Sequence, residues 1–177
     1  MQALMGFLGL NTSAGLWSMA SYLAFVVIII GVFWERYRNL LVTLGAVVLV
    51  FYAGIFLKNP LFAALQSLIV LAGALKFSKL SERFAMGAMI TTTVLAYIFL
   101  VSNDAINDVW SLIGSLGLLG IAFGLAVMPE RYGFILMAAG GALLVAYAFA
   151  VAAWVFFSLN ILFFFANVIT WRKQRSV

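Results

Sequence analysis

The sequence predicts an all-α integral membrane protein with seven transmembrane helices. They fall into two parallel three-helix repeats around one linking helix, with the N-terminus outside and the C-terminus cytoplasmic. Three observations predict this. The 177 residues are 67% hydrophobic and 8% charged, with a mean hydropathy of +1.20. A soluble domain carries about 25% charged residues and about half apolar ones, so this surface suits lipid. Next, "ERYRNLLVTLGAVVLVFYA" (Glu35–Ala53) returns 95 residues later as "ERYGFILMAAGGALLVAYA" (Glu130–Ala148). Finally, nine of the ten basic residues lie on one side of the predicted spans.

Residues 1–16 are too short and too mixed to span alone, since a span needs about 20 residues. They read as an interfacial segment or an extension of the first helix. They lack the basic start and cleavage site of a signal peptide. Asn11-Thr12-Ser13 matches a glycosylation sequon but reads better as a turn or N-cap before a helix. The first repeat, 17–79, holds spans at Trp17–Trp34, Leu40–Leu57 and Pro60–Leu75. The linker, 80–107, holds Phe84–Val101. The second repeat, 108–173, opens with Val109–Met128, and 174–177 is a cytoplasmic tail.

Tyr132–Trp171 contains 40 residues and no charge. As one helix it would be about 60 Å long, twice the hydrocarbon thickness. The repeat shows where to divide it. At an offset of 95, Leu23/Leu118, Arg36/Arg131, Tyr37/Tyr132, Gly45/Gly140, Leu49/Leu144, Tyr52/Tyr147 and Ala53/Ala148 are identical. The offset then becomes 94, giving Phe62/Phe156, Leu65/Leu159, Ala72/Ala166 and Lys79/Lys173, with Gln66 opposite Asn160. Lys58-Asn59-Pro60 therefore corresponds to Ala152-Ala153-Trp154. The long run divides into Tyr132–Ala152 and Trp154–Trp171.

Arg36, Arg38, Lys76, Lys79, Arg83, Arg131, Arg172, Lys173 and Arg175 fall on one side; Lys58 falls on the other with Asp104 and Asp108. Basic loops stay cytoplasmic, which sets the orientation and a multi-pass place in the cell (inner) membrane. The net charge of +5 therefore reports topology, and no nucleic-acid partner is expected. With no Cys and no His, thiolate metal sites, disulfides and the commonest general base are excluded. There is no P-loop and no nucleophile beside a base, so no enzyme, cofactor or metal is expected.

Duplicated bundles usually bind at the midplane between repeats, so polar groups present inside both copies are the candidates. Gln66 and Asn160 each lie six residues into the third helix of their copy, about 9 Å deep. A buried amide is costly unless it is hydrogen-bonded. Both residues can donate and accept, as recognition of hydroxyls, a carboxamide or a pyrimidine edge requires. The plainer reading is that they glue helices together. Tyr52 and Tyr147 are matched at similar depth and offer a stacking face with a hydroxyl, or serve as belt residues. Asn167 follows Asn160 by seven residues, on the same helical face.

Trp154 reads as an interfacial anchor or an outer gate, and Trp171 as a belt anchor. Glu35 with Arg36, and Glu130 with Arg131, are expected to pair at the cytoplasmic turns in gating or structural contacts. Thr91-Thr92-Thr93 reads as bonding to its own helix, and Gly114, Gly117, Gly120 and Gly124 as close helix packing. All five acidic residues sit at span ends. Proton and sodium pumps usually carry an intramembrane carboxylate, so a downhill facilitator is expected.

With the repeat and the amide pair in place, the chain resembles the SWEET/PnuC-like clan of small membrane transporters, whose repeats are parallel. It is most similar to the PnuC-type vitamin transporters, and YgjV-type inner-membrane proteins are also similar. "NPLFAALQSLIVLAGALKF" resembles the third helix of the PnuC type, and "SLNILFFFANVITWRK" its last. The resemblance covers Trp17 to Lys173. It implies facilitated uptake of a vitamin- or nucleoside-like solute of the nicotinamide riboside, thiamine or riboflavin class. The sugar transporters of the clan place paired Asn residues where Gln66 and Asn160 stand, which makes a sugar facilitator the nearest alternative. Their Trp pair is Tyr here, and the chain has the shorter, YgjV-type length. A non-transporting membrane module that binds a partner is the alternative from another class. Partners implied are the small-molecule solute and the lipid bilayer, with room for a homo-oligomer.

Overall fold

The computed structural model describes residues 13–78, 80–127 and 131–175. The 1–12 segment with Asn11 and Thr12, and the residues Lys79, Met128 and Glu130, lie outside the described residues. So do the side chains of Val32, Phe33, Glu35, Arg38, Gln174 and Arg175.

The described chain is all helical: α1 Ser13–Phe33, a short 3-10 turn Glu35–Tyr37, α2 Arg38–Phe51, a π-helical turn Tyr52–Phe56, α3 Pro60–Phe77, α4 Glu82–Ser102, α5 Val109–Val127, α6 Arg131–Ala150 and α7 Trp154–Arg175. Six helical segments are long and apolar enough to cross a membrane, and α1 adds an apolar run at Gly15–Gly31. The protein is a multi-pass membrane protein. The uncharged 40-residue run is two helices, because α6 ends at Ala150 and α7 starts at Trp154. Large apolar side chains such as Leu23, Phe51, Leu95, Phe99, Phe165 and Ile169 stand exposed, as a lipid-facing surface requires.

Local chemistry explains where helices begin and end. Asn59 caps α3: its Oδ1 accepts from Phe62 N at 3.1 Å, and Pro60 follows at the first helical position, where its missing N–H costs nothing. Ser81 caps α4, its hydroxyl accepting from Phe84 N at 3.3 Å, with Glu82 in the first turn, favourable to the helix dipole. Asp108 caps α5: its Oδ1 accepts from Ser111 N at 2.6 Å, while Ser111 Oγ accepts from Asp108 N at 3.0 Å. Hydrogen bonds from Ser111 hold the Asp108 carboxyl below the ordinary aspartate range, the bond from its backbone N–H contributing most. Left-handed residues follow three helices: Lys58 at φ 50°, Asp104 at φ 55° and Ala152 at φ 53°.

The chain forms two compact units that divide after Gly73. In the first, α1 packs along α2. The crossing is close at Gly45, where an added Cβ would lie 2.9 Å from Ala24 O. Thr43 stands against Gly73, joining α2 to α3. In the second unit α5 packs on α6, α6 on α7 and α4 on α5. Half of α5 and of α6 is buried but only 17% of α4, so α5–α6 is the core of this unit. Lipid tails are as apolar as leucine, so such contacts gain from close van der Waals packing rather than from escaping water.

Candidate functional site

The cap at Asn59 fixes the start of α3, and with it the depth of Gln66. The Gln66 side chain is 1% exposed, and neither Nε2 nor Oε1 has a hydrogen-bond partner. An unsatisfied buried polar group costs about 1–3 kcal/mol. Gln66 therefore keeps a buried donor and a buried acceptor without a hydrogen-bond partner among the described residues.

Asn160 is also buried, at 3% exposed, but its Nδ2 donates to Phe156 O at 2.8 Å, one turn back on α7. Asn167 does the same, Nδ2 to Phe163 O at 2.7 Å. Gly141 of α6 runs beside this stretch; a Cβ there would meet Phe163 Cδ1 at 3.4 Å and Asn160 O at 3.7 Å. Asn160 and Asn167 share one face of α7. Gln66 and Asn160 belong to different compact units.

Tyr52 is buried, and its hydroxyl bonds to the Ser21 hydroxyl of α1. Ser21 Oγ also donates to Ser18 O at 2.7 Å. The Tyr52 ring stacks on Phe56, centroids 5.4 Å apart and planes at 20°. Tyr147 is equally buried. Trp154 is exposed at the start of α7 and makes edge-to-face contacts with Phe149 and Phe157, each at 5.9 Å.

At the other helix ends, the Arg36 guanidinium lies 5.5 Å from the Tyr37 ring, and Arg131 lies 5.4 Å from the Trp171 ring. The expected pairings of Glu35 with Arg36 and of Glu130 with Arg131 lie outside the described residues. Among the described side chains, every charged one is exposed. Sequence reasoning missed Ser21, the Arg131–Trp171 contact and the π turn. Only the last left a trace, the change of offset from 95 to 94.

No protein-family model matches this chain, and no curated protein or solved structure matches it either.

Proposed function

We propose that the protein is a facilitative transporter of a small polar-aromatic solute, vitamin- or nucleoside-like, working by alternating access between two parallel three-helix repeats in the inner membrane. The observation that carries this reading is the buried, unpartnered amide of Gln66. A helix-gluing amide would be expected to find its partner in the folded chain. A solute-reading amide is left open until the solute arrives. Matched residues behave alike in the two copies: Tyr52 and Tyr147, Ala53 and Ala148, Phe62 and Phe156, and Gln66 and Asn160 are all buried. That likeness supports a duplicated bundle, and the positions of the basic residues support a cytoplasmic C-terminus. The exposure of every described charge supports downhill transport.

The side-chain roles differ. Gln66 offers donor and acceptor together, as a carboxamide or pyrimidine edge requires. Asn160 and Asn167 each give one N–H to their own helix and offer a carbonyl oxygen and a second N–H. Tyr52 supplies a ring face, its hydroxyl being occupied by Ser21.

The test is uptake into proteoliposomes of nicotinamide riboside, thiamine and riboflavin, with and without proton and sodium gradients. One of the three should equilibrate without concentrating, and Gln66→Ala should weaken its binding about 5- to 100-fold. Accumulation driven by a gradient would overturn the downhill mechanism. Failure to move any of the three would favour the non-transporting module or the sugar facilitator.

A further inference from the structure

The register between the two copies changes from 95 to 94 after Ala53/Ala148 and before Phe62/Phe156. Backbone hydrogen bonds locate the change. Tyr52 O accepts from Leu57 N at 3.0 Å, five residues on; Tyr147 O accepts from Val151 N at 3.0 Å, four residues on. Ala53 O accepts from Asn59 N at 2.9 Å, six residues on; Ala148 O accepts from Ala153 N at 2.9 Å, five residues on. Each bond is one residue longer in the first copy, and the chain it spans is the π turn Tyr52–Phe56. Beyond it the copies agree again. Lys58 and Ala152 are both left-handed, φ 50° and 53°, and in each case a new helix begins two residues later. A π turn is how a helix absorbs one extra residue when both of its ends are held, and such turns recur at functional sites.

We propose that the π turn is a one-residue insertion confined to the first copy. Its role is to set Tyr52 and Phe56 as an aromatic wall for a planar solute; this second part rests on the transport reading above. Opening the turn to five-residue hydrogen bonds brings side chains four apart nearly into line, and the two rings stack at 20°. The Ser21 bond fixes the Tyr52 ring. In the second copy the residue four beyond Tyr147 is Val151, and Ala150 precedes it, so no such wall forms. The insertion therefore makes the two copies chemically unequal.

The experiment deletes Gly54 from the full-length protein. Gly54 is exposed, and a Cβ there would meet only Ala63 Cβ, at 3.9 Å. The control deletes Ala146 from the continuous helix α6, which would swing the buried Tyr147 and Ala148 off the core. Thermal unfolding in detergent is followed by circular dichroism. The Gly54 deletion should unfold within a few degrees of the parent, whereas the Ala146 deletion should lose about 10 °C or more. Equal damage from both deletions would overturn the insertion.

Binding of nicotinamide riboside, thiamine and riboflavin is then measured on the parent, the Gly54 deletion and Phe56→Leu. Both variants should bind the parent's solute about 3- to 10-fold more weakly. Unchanged affinity in both would overturn the wall. A parent that binds none of the three would remove the wall together with the vitamin- or nucleoside-like reading, and the insertion would then be judged by the unfolding midpoints.

Discussion

Gly117 and Gly140 meet backbone to backbone: a Cβ placed on Gly140 would lie 2.6 Å from Gly117 O, and one on Gly117 would lie 2.8 Å from Gly140 O. No side chain can give way there, because the obstacle is the opposite helix itself. Gly140→Ala should therefore force α5 and α6 apart and cost about 1–3 kcal/mol. Gly87 of α4, also helical, has nothing within 4 Å of its missing Cβ. There the same change should be neutral or stabilise by up to about 1 kcal/mol through helix propensity. Unfolding midpoints of the two variants in one detergent check the opposite signs; a harmless Gly140→Ala would mean the crossing is looser than described.

Ala152 holds φ 53° between α6 and α7, a region that costs an ordinary residue about 1–2 kcal/mol. Glycine has no Cβ to clash there. Ala152→Gly should stabilise by about 0.5–1 kcal/mol, after the entropy glycine loses on folding. Ala146→Gly, in the middle of α6, should destabilise by a similar amount. Chemical denaturation of both variants measures the difference, and a destabilised Ala152→Gly would contradict the backbone assignment.

Much of the fold was legible because charge and apolar runs mark spans directly, and because a repeat can be read where hydropathy cannot. The 40-residue run looks seamless by composition; only the match of Ala152-Ala153-Trp154 to Lys58-Asn59-Pro60 shows its break. The π turn was not legible, since a single inserted residue alters no composition and appears only as a shifted offset. The candidate site was half legible. Gln66 and Asn160 look equivalent in sequence, yet Asn160 folds back onto Phe156 O while Gln66 keeps both polar atoms unpaired. Asn is short enough to bond its own helix; the extra methylene of Gln carries its amide farther from the backbone. The bond of Tyr52 to Ser21 depends on how α1 meets α2, which neither residue reveals alone. Gly73 faces Thr43 in the first copy, and the residues at the matched sequence positions of the second are Asn167 and Ala138.

The Asp108 cap gives a pH signature. Its carboxyl is held below the ordinary range by the bonds from Ser111, so the folded state binds this proton less readily than the unfolded chain. The stabilisation is complete above the unfolded value of about 3.9 and is lost as pH falls through the lower folded value. The protection of amides in the first turn of α5, measured against their intrinsic exchange at each pH, should therefore fall in the parent below about pH 4. Asp108→Asn keeps a capping oxygen but cannot titrate, so its protection should not show that added fall. An identical acid response in both proteins would assign the effect to other carboxylates.

The last prediction concerns the sign of a stability change at Gln66. If its amide were structural glue, replacing it would remove a hydrogen bond and destabilise the protein. The amide has no such bond to lose. Gln66→Leu removes two unsatisfied polar atoms from a position 1% exposed and keeps much of the volume. The relief is about 1–3 kcal/mol, reduced by whatever misfit the branched side chain introduces, about 1 kcal/mol. The solute-free protein should therefore unfold at the same temperature as the parent or higher, while its solute affinity falls. Asn160→Leu should behave in the opposite way without solute, because it breaks the bond to Phe156 O and loses about 0.5–1.5 kcal/mol. Melting the parent and both variants, with and without nicotinamide riboside, thiamine or riboflavin, separates the two roles. The parent alone should gain a full ligand-induced rise in midpoint, since only a protein that binds the solute is stabilised by it. A Gln66→Leu protein that melts well below the parent without solute would show that the amide has a partner in the membrane and that its place in the site must be given up.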